Sequence, residues 1–289
     1  MASATMLVTP HYQYRKAKNL LMMGLTIFAT VITLIPLFLI LGYLLYKGAS
    51  SLNLAFFTKL PSPVGEAGGG MANAIVGTFE LVLIACLIGV PIGVGAGIYV
   101  AEHRGSQLAN AVRFAADVMM GVLSIVVGIF AYALVVRPMG GFSALAGSVA
   151  LATIMIPLVT RTTEEMVLLV PHELREASLA LGVPRWRTTI SVVARTAMGG
   201  IATGVILATA RIAGETAPLL FTAFGNRFWS TALSGPVASL PVQIYTYAIS
   251  PFADWQRQAW AGALVLTAIV LALELGVRAV TGGQTRTPR

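Results

Sequence analysis

Six long apolar runs dominate this sequence, and each is long enough to cross a lipid bilayer as a helix. In chain order they cover residues 20–46, 73–100, 114–136, 142–160, 197–222 and 259–277. About 20 helical residues span the hydrocarbon core of a bilayer. Only 10% of the 289 residues are charged and 57% are apolar, whereas about 25% of residues are charged in a typical soluble domain. We therefore predict an all-α membrane protein with six transmembrane helices.

The distribution of Lys and Arg predicts which way these helices cross the membrane. With a cytoplasmic N-terminus, 13 basic residues fall in inner segments and five in outer ones, and Arg211, inside an apolar run, completes the 19. Basic residues accumulate on the cytoplasmic side of membrane proteins. Both termini and the polar segment 161–195 are therefore predicted to be cytoplasmic. Because the basic residues lie between apolar runs and form no patch, the net charge of +8 indicates topology and not nucleic-acid binding.

No internal repeat, low-complexity segment or interdomain linker divides the chain, so we predict a single membrane domain with short tails. Residues 1–19 are expected to form a cytoplasmic N-terminal tail, residues 20–281 the six-helix domain, and residues 282–289 a cytoplasmic C-terminal tail. Two longer segments, 47–72 and 223–258, connect helices on the outer side. Both contain proline, and the first contains a run of three glycines, which is typical of turns.

A polar stretch at residues 171–188, PHELREASLALGVPRWRT, is predicted to form a helical hairpin on the cytoplasmic side. A short amphipathic helix precedes Gly182, which ends it, and Pro184 favours the start of the next helix. One interpretation is a solvated helix that lies on lipid headgroups. The other is a helix whose face of small residues fits a groove on a soluble partner. We call residues 171–188 the cytoplasmic hairpin.

Two charged residues, Arg211 and Glu215, lie inside the fifth apolar run. An arginine at the bilayer centre costs about 2.5–3.5 kcal/mol on insertion scales, so it normally faces a partner or a watery cavity. The two residues are four apart and share a helix face. They form either an internal ion pair that locks helices together or a site on an anion path. A guanidinium fork suits a tetrahedral oxyanion, and partial neutralisation by Glu215 suits the transient contact that transport requires.

The remaining polar residues indicate neither a metal site nor a catalytic centre. Three interpretations stay open for Glu80: it faces the same cavity, pairs with Arg211, or meets water. Solvation at the membrane edge is expected for Asp117 and Glu274, and a surface charge cluster is expected for Arg161, Glu164 and Glu165. The three histidines lack metal-ligand spacing. No Gly-x-x-x-x-Gly-Lys-Ser/Thr loop is present, so ATP is not expected to bind this chain.

The hairpin carries a specific resemblance. Its residues Glu176-Ala177-Ser178, followed after three residues by Gly182, resemble the EAA loop of ABC-importer permeases, which docks onto the nucleotide-binding subunit. The segments ARIAGETAPLLFTAFGNRFWS (210–230) and LPVQIYTYA (240–248) resemble PstA-type permeases of phosphate importers. The similarity extends over about residues 72–263. Three elements depart from the family. Ser178 replaces the second alanine of EAA, the Ile-x-Leu-Pro close of the loop falls on Val192, Ala194 and Arg195 without its proline, and Gly-Val-Pro-Ser appears as GVLS at residues 121–124. The family's helix bends at the two missing prolines are therefore not implied for this chain.

The resemblance implies a type I ABC-importer permease in the bacterial cytoplasmic membrane, with a coupling loop at residues 172–195. The residues that it implies for ATPase coupling are Glu173, Glu176, Ala177, Ser178, Gly182 and Arg185. Arg211 and Glu215 would line the phosphate path. The implied partners are a dimer of ATP-binding subunits that carries ATP and Mg²⁺, a second homologous permease, and an extracytoplasmic phosphate-binding protein. No cofactor is expected on this chain itself.

Two other functions remain open at the level of sequence. The same architecture would suit another oxyanion, such as sulfate, molybdate or phosphonate, because one arginine does not discriminate among them. A membrane enzyme acting on lipid phosphates is the more distant alternative. Such an enzyme would need clustered acidic metal ligands or a His–Asp pair near a membrane face, and the sequence contains neither pattern.

Overall fold

The computed structural model describes residues 10–63, 66, 68–230 and 232–282, and these residues form helices joined by turns. The only extended pairing within these ranges is an isolated bridge between Pro61 and Gly69. The helices are α1 (Pro10–Ala49), α2 (Leu54–Thr58), α3 (Ala72–Glu102), α4 (Gln107–Gly121), α5 (Ser124–Met139), α6 (Ala144–Leu168), α7 (His172–Ala180), α8 (Arg185–Ala213), α9 (Ala217–Leu220), α10 (Leu240–Ala248) and α11 (Ala253–Gly282).

Five helices, α1, α3, α6, α8 and α11, are long and apolar enough to cross a membrane. The sixth predicted span is a pair of helices, α4 and α5, bent by 107°. The expectation of one helix over 114–136 is therefore wrong. Val122 and Leu123 are both extended, with ψ of 136° and 137°, although no proline stands there. Gly121 and a β-branched valine are both weak helix formers, so local sequence permits the break that packing selects.

The ends of the first and last helices differ from the expected boundaries. Helix α1 begins at Pro10, so residues 10–19 of the expected N-terminal tail are helical. Every described side chain between residues 11 and 43 is exposed. The C-terminal end of α1 packs on α11, where the Tyr43 and Trp260 rings meet edge to face at 5.1 Å. Helix α11 extends to Gly282, and the remainder of the expected C-terminal tail lies outside the described residues.

The core of the molecule forms where α3, α6 and α8 pack together. Glycines on α3 allow this contact: a Cβ built at Gly93 would lie 2.7 Å from the Val159 side chain, and one at Gly97 would lie 2.6 Å from the Thr160 carbonyl. Small residues let helix backbones approach closely in membranes. The largest buried side chains of this core are Leu81, Leu151, Met155, Ile212 and Leu219. The core joins α8, the helix that bears Arg211, to α3 and α6.

The two ends of the bundle have different structures. At one end lies the cytoplasmic hairpin, beside the C-terminus of α3. At the other end, the predicted outer segments pack against the N-terminus of α3: the Leu240 amide donates to Thr78 Oγ1 at 2.8 Å, and Gln258 Nε2 donates to the Gly68 carbonyl at 2.6 Å. A second buried cluster, including Phe56, Met71, Leu240, Tyr247 and Trp255, stabilises this end. The described parts of segments 47–72 and 223–258 therefore lie together, opposite the hairpin, as the alternation of helices predicts.

Candidate functional site

A cavity of about 400 Å³, the central cavity, lies beside the break between α4 and α5. It is lined by Met119, Met120, Val122, Ser124, Val126, Val127, Phe130, Thr153, Ile154, Leu158 and Arg211. Arg211 is the one charged residue in this lining, and Ser124 and Thr153 supply hydroxyls. The rest of the lining is apolar, so Arg211 and the two hydroxyls are the polar groups that it offers to a ligand.

Arg211 lies near the middle of the bundle, as the sequence predicts, because its neighbours are mid-helix residues. Thr209 Oγ1 is 3.4 Å from the sulfur of Cys86, and Cys86 is near the centre of the 31-residue α3. Leu158, which lines the same cavity, is near the centre of the 25-residue α6. The arginine is therefore held about as far from one end of these helices as from the other.

The helix that carries Arg211 is shorter than the predicted run 197–222. Helix α8 ends at Ala213, and Gly214 caps it by donating its amide to the Arg211 carbonyl at 3.2 Å. The expectation of a continuous helix is wrong because Pro218 has no N–H and its ring would clash with the carbonyl four residues earlier. Pro218 instead lies in the first turn of α9. Arg211 thus occupies the last turn of α8, where the helix dipole favours a cation.

Arg211 and Glu215 are close but weakly joined. The Arg211 Nε and Glu215 Oε1 atoms are 3.9 Å apart, and the two side chains are 59% and 17% exposed within this chain. A separation of this size is too long for a hydrogen bond. Most guanidinium donors therefore point into open space and not into a locked pair. The arrangement agrees with a partly compensated arginine that is available to an anion.

Below the central cavity, a buried ion-pair network joins α4 to α6. The carboxylate of Glu164, whose side chain is 4% exposed, accepts hydrogen bonds from Arg113 Nε at 2.9 Å, Arg113 Nη2 at 2.7 Å and Arg161 Nη1 at 2.7 Å. Arg161 Nε also contacts Asp117 Oδ1 at 3.0 Å. The expected surface cluster is wrong for Glu164 and Arg161, although Glu165 is exposed.

The sequence did contain a signal for this network. Arg113 and Asp117 are four residues apart at the start of the third apolar run, and Arg161 and Glu164 are three apart at the end of the fourth. Two pairs of opposite charge at the same predicted depth favour cross-pairing between neighbouring helices. Glu80 behaves differently: it is half-buried on α3, and within the described ranges it forms no ion pair with Arg211 or any other residue.

The cytoplasmic hairpin has the shape that its sequence predicts. Helix α7 is followed by a tight turn in which Gly182 has φ of +79°, and Pro184 precedes α8. A positive φ of this size strains residues that have a Cβ. The exposed members of the predicted coupling set are Glu173, Glu176, Ala177, Gly182 and Arg185. Ser178 is buried and its hydroxyl is 2.9 Å from Thr188 Oγ1, so it joins the two arms of the hairpin.

Two residues that sequence reasoning missed attach the hairpin to the bundle. Glu102, the last residue of α3, accepts a hydrogen bond from Arg175 of α7 and another, at 3.3 Å, from Thr189 Oγ1 of α8. Arg175 also donates to the Val167 carbonyl of α6 at 3.0 Å. The sequence did contain a signal for this contact. Glu102 is an acidic residue at the predicted cytoplasmic end of a span, and Arg175 is a basic residue in the middle of the amphipathic helix. The hairpin is consequently tied to three membrane helices.

Comparison with known proteins identifies the family. The family described as binding-protein-dependent transport system inner membrane component matches residues 93–282. The phosphate transport system permease protein PstA of Yersinia pestis is 48% identical over 268 residues, which cover 92% of this chain and 91% of the relative. The probable PstA of Methanocaldococcus jannaschii is 37% identical over 269 residues, covering 93% and 95%.

Solved structures support the architecture. A bacterial alginate ABC transporter, in complex with a periplasmic protein that binds an alginate pentasaccharide, aligns with a TM-score of 0.69 over 96% of this chain and 99% of that one, at 13% identity. The inward-facing MetNI methionine ABC transporter aligns with a TM-score of 0.60 over 75% and 98%, at 19% identity. At such low identity these likenesses establish the fold only. With the family match and the close relatives, they show that the chain is a multi-pass inner-membrane permease subunit and not an enzyme, and that it belongs to the PstA-type permeases of ABC importers.

Proposed function

We propose that this chain is a transmembrane subunit of an ATP-driven importer of inorganic phosphate, and that the anion passes Arg211. The observation that carries the proposal is a mid-depth arginine that lines an apolar cavity with most of its donors free. In a site of low dielectric, a bidentate guanidinium binds an oxyanion more strongly than in water. The names of the close relatives support phosphate as that anion.

Glu215 would adjust how tightly the anion is held. A bare arginine in an apolar cavity would bind phosphate too long for rapid release, whereas an arginine fully bonded to a carboxylate would bind it too weakly. The 3.9 Å separation leaves an intermediate attraction. This suits transport, in which a site must be favourable enough to enter and weak enough to leave.

Helix α8 provides a mechanical link between ATP hydrolysis on a partner and the anion site. It runs for 29 residues from Arg185 in the hairpin to Ala213, about 43 Å at the α-helical rise per residue. Because Glu102 fastens the hairpin to α3 and α8 together, a displacement of the hairpin would move the far end of α8. An ATPase that binds the hairpin differently in its two states would thereby shift the permease between inward- and outward-facing forms.

This proposal implies the same assembly as the family resemblance. A dimer of ATP-binding subunits, which holds ATP and Mg²⁺, would bind the exposed residues of the hairpin, and a second permease chain would complete the path. An extracytoplasmic phosphate-binding protein would meet segments 47–72 and 223–258. Both termini would be cytoplasmic, and residues 1–19 and 282–289 would lie at that surface. No cofactor is assigned to this chain.

Reconstituted vesicles test the proposed substrate. With all subunits and ATP present, we expect uptake of labelled phosphate that excess unlabelled phosphate abolishes and excess sulfate leaves largely unchanged. ATP-dependent uptake of sulfate without phosphate would reject the proposed substrate while retaining the permease architecture. Omission of the binding protein is the matched control, because uptake through this class of importer depends on it.

The turn of the hairpin makes a second prediction. Gly182→Val is expected to reduce co-purification of the ATPase subunit by about tenfold, because a β-branched residue at φ of +79° carries about 1–3 kcal/mol of strain that rearranges the turn. Open space surrounds Gly182, and a Cβ added there would have no heavy atom within 4 Å, so the effect comes from the backbone. Gly105→Val is the control, since Gly105 has the same open surroundings without a positive φ. Normal ATPase stoichiometry in Gly182→Val would contradict the docking role.

A further inference from the structure

A second cavity, the outer cavity, lies at the end of the molecule opposite the hairpin. It has a volume of about 300 Å³ and lies between the segment after α9 and helix α10. It is lined by Leu220, Phe224, Gly225, Asn226, Arg227, Ala238, Ser239, Val242, Gln243, Thr246 and Tyr247. About half of these lining residues are polar, in contrast to the central cavity, and most of the polar groups have donors.

The charge of the outer cavity has one sign. Arg227 is the only charged residue in the lining, and it forms no ion pair with any carboxylate in the described ranges. The amides of Asn226 and Gln243 and the hydroxyls of Ser239, Thr246 and Tyr247 complete the polar part. Thr246 Oγ1 donates to the Val242 carbonyl and Asn226 Nδ2 to the Pro236 carbonyl, so Arg227 is the main attraction for a ligand, and a lone cation favours an anion.

Two buried hydroxyls in this lining are poorly paired. Ser239 is 1% exposed and Tyr247 is 3% exposed. Ser239 Oγ has no hydrogen-bond partner among the described residues, and Tyr247 Oη makes no hydrogen bond of ordinary geometry there, although the Gln243 side chain lies near enough to act as its partner. Ser239 occupies the N-cap position of α10, but its side chain makes no capping bond. Buried polar groups are normally paired. An acceptor beside Ser239 would give its hydroxyl the partner that it lacks.

Aromatic stacking holds the cation beside these hydroxyls. The Arg227 guanidinium lies over the Trp255 ring at 5.3 Å, and that ring stacks on Tyr247 with centroids 4.5 Å apart and planes 12° from parallel. Trp255 is buried. Burial raises the pKa of the Tyr247 phenol above its ordinary value of 10.0. Hydrogen bonding to the Gln243 side chain and the positive charge of Arg227 lower this pKa in part. The phenol is therefore protonated at neutral pH and available as a donor.

We propose that the outer cavity binds a phosphate-type oxyanion, with Arg227 as the cation and the Ser239 and Tyr247 hydroxyls as donors. Helix α9 lies between this cavity and the central one. Its last residue, Leu220, lines the outer cavity, and its Pro218 packs on α5, where a Cβ built at Gly128 would lie 2.7 Å from Pro218 Cα. In this proposal an anion binds in the outer cavity first and then moves past α9 to Arg211.

The oxyanion has two possible sources, free inorganic phosphate and the headgroup of a phospholipid. The site would bind both through the same groups. Its preference for an anion follows from its lining and does not depend on the proposed function. Only the interpretation of the cavity as an intermediate binding site on a transport path rests on that proposed function. The experiment therefore measures binding separately from transport.

Binding of radiolabelled inorganic phosphate to the full-length chain in a glycosidic detergent tests the site, in an Arg211→Gln background that removes the central arginine. Arg227→Gln is expected to weaken binding by about tenfold or more, the usual effect of losing a hydrogen bond from a charged donor. Arg257→Gln is the matched control, because Arg257 is exposed near the same end and paired with Asp254. Equal affinity in Arg227→Gln and its background, or no phosphate binding in either, would overturn the proposal.

Tyr247→Phe separates a ligand donor from a structural hydroxyl. We expect phosphate affinity to fall about threefold to tenfold, while Tm changes little, because the Tyr247 hydroxyl makes no hydrogen bond of ordinary geometry in the unliganded protein and has only the Gln243 side chain near it. A lower Tm with unchanged phosphate affinity would overturn the role of Tyr247. Tyr245→Phe is the control on the same helix, at an exposed position outside the cavity lining.

Comparison of detergent with phospholipid nanodiscs identifies the source. Equal phosphate affinity in detergent and in nanodiscs supports free phosphate as the ligand. If phosphate binds through Arg227 in detergent but does not bind in nanodiscs, a lipid headgroup occupies the site. Either result supports an oxyanion site. The proposed function can fail independently. If the outer cavity binds phosphate through Arg227 while the complete importer does not take phosphate up, the site stands and the proposed substrate is rejected.

Discussion

Replacing Arg211 by glutamine is expected to abolish phosphate uptake by the assembled importer while leaving assembly intact. Glutamine keeps hydrogen-bonding capacity but removes the charge that attracts the anion into an apolar cavity. Arg211 is 59% exposed, and its Nε lies 3.9 Å from the Glu215 carboxylate, so its removal breaks no tight bond. The measurement is uptake of labelled phosphate in vesicles, together with subunit stoichiometry on a sizing column.

Two further variants sharpen this test. Arg257→Gln removes a positive charge from an exposed position and is expected to leave uptake at the wild-type level. Arg211→Lys should restore only part of the uptake, because an ammonium is a point charge and lacks the bidentate fork of guanidinium. Unimpaired uptake in Arg211→Gln would remove the basis of the proposed anion path, whatever the behaviour of the control.

Glu164→Gln is expected to destabilise the bundle. The Glu164 carboxylate accepts three hydrogen bonds from Arg113 and Arg161 and is 4% exposed. The substitution removes these charge-assisted hydrogen bonds but leaves Arg113 and Arg161, which are 28% and 27% exposed, in partial contact with water, so we expect a loss of about 1–3 kcal/mol. Thermal unfolding of the purified chain measures the effect, with a maleimide dye that reports exposure of the single cysteine, Cys86.

A double substitution distinguishes this network from simple packing. If charge imbalance causes the loss, removal of Arg113 in the Glu164→Gln variant should recover part of the lost stability, and the coupling energy should be well above the error for independent sites. Arg161 would keep its contact with Asp117 at 3.0 Å. Additive losses in the double variant would show that Glu164 and Arg113 are not energetically coupled, which would contradict the charge explanation. Glu165→Gln is the exposed neighbour and control.

Stability and transport need not change together at these positions. The ion-pair network lies on α6 below Leu158, which lines the central cavity, and it fixes α4 relative to α6. Arg211, by contrast, contributes little to packing. We therefore expect Glu164→Gln to lower Tm with a secondary effect on uptake, and Arg211→Gln to stop uptake with little change in Tm.

The amino-acid sequence by itself determined the class of fold and marked Arg211 as an unusual charge within an apolar run. Long apolar runs leave few alternatives to membrane helices, since every backbone polar group in lipid must be paired within the helix. A charge inside such a run, as at Arg211, signals function because it is costly. The turn at Gly182 and the helix before it follow from local propensity alone, and the structure places both where the pattern predicts.

Only the tertiary structure decided where helices break and which polar groups meet. The bend at Val122 and Leu123 has no proline to cause it, so it depends on the packing of α5 against α9. Glu164 bonds Arg113, which is 51 positions away in the chain. Glu102 bonds Arg175 and Thr189 of the hairpin region, which are 73 and 87 positions away. The outer cavity likewise brings Arg227, Ser239 and Tyr247 together through stacking on Trp255. Periodicity and charge counts describe neighbours along the chain, whereas these contacts arise from the way separate helices pack.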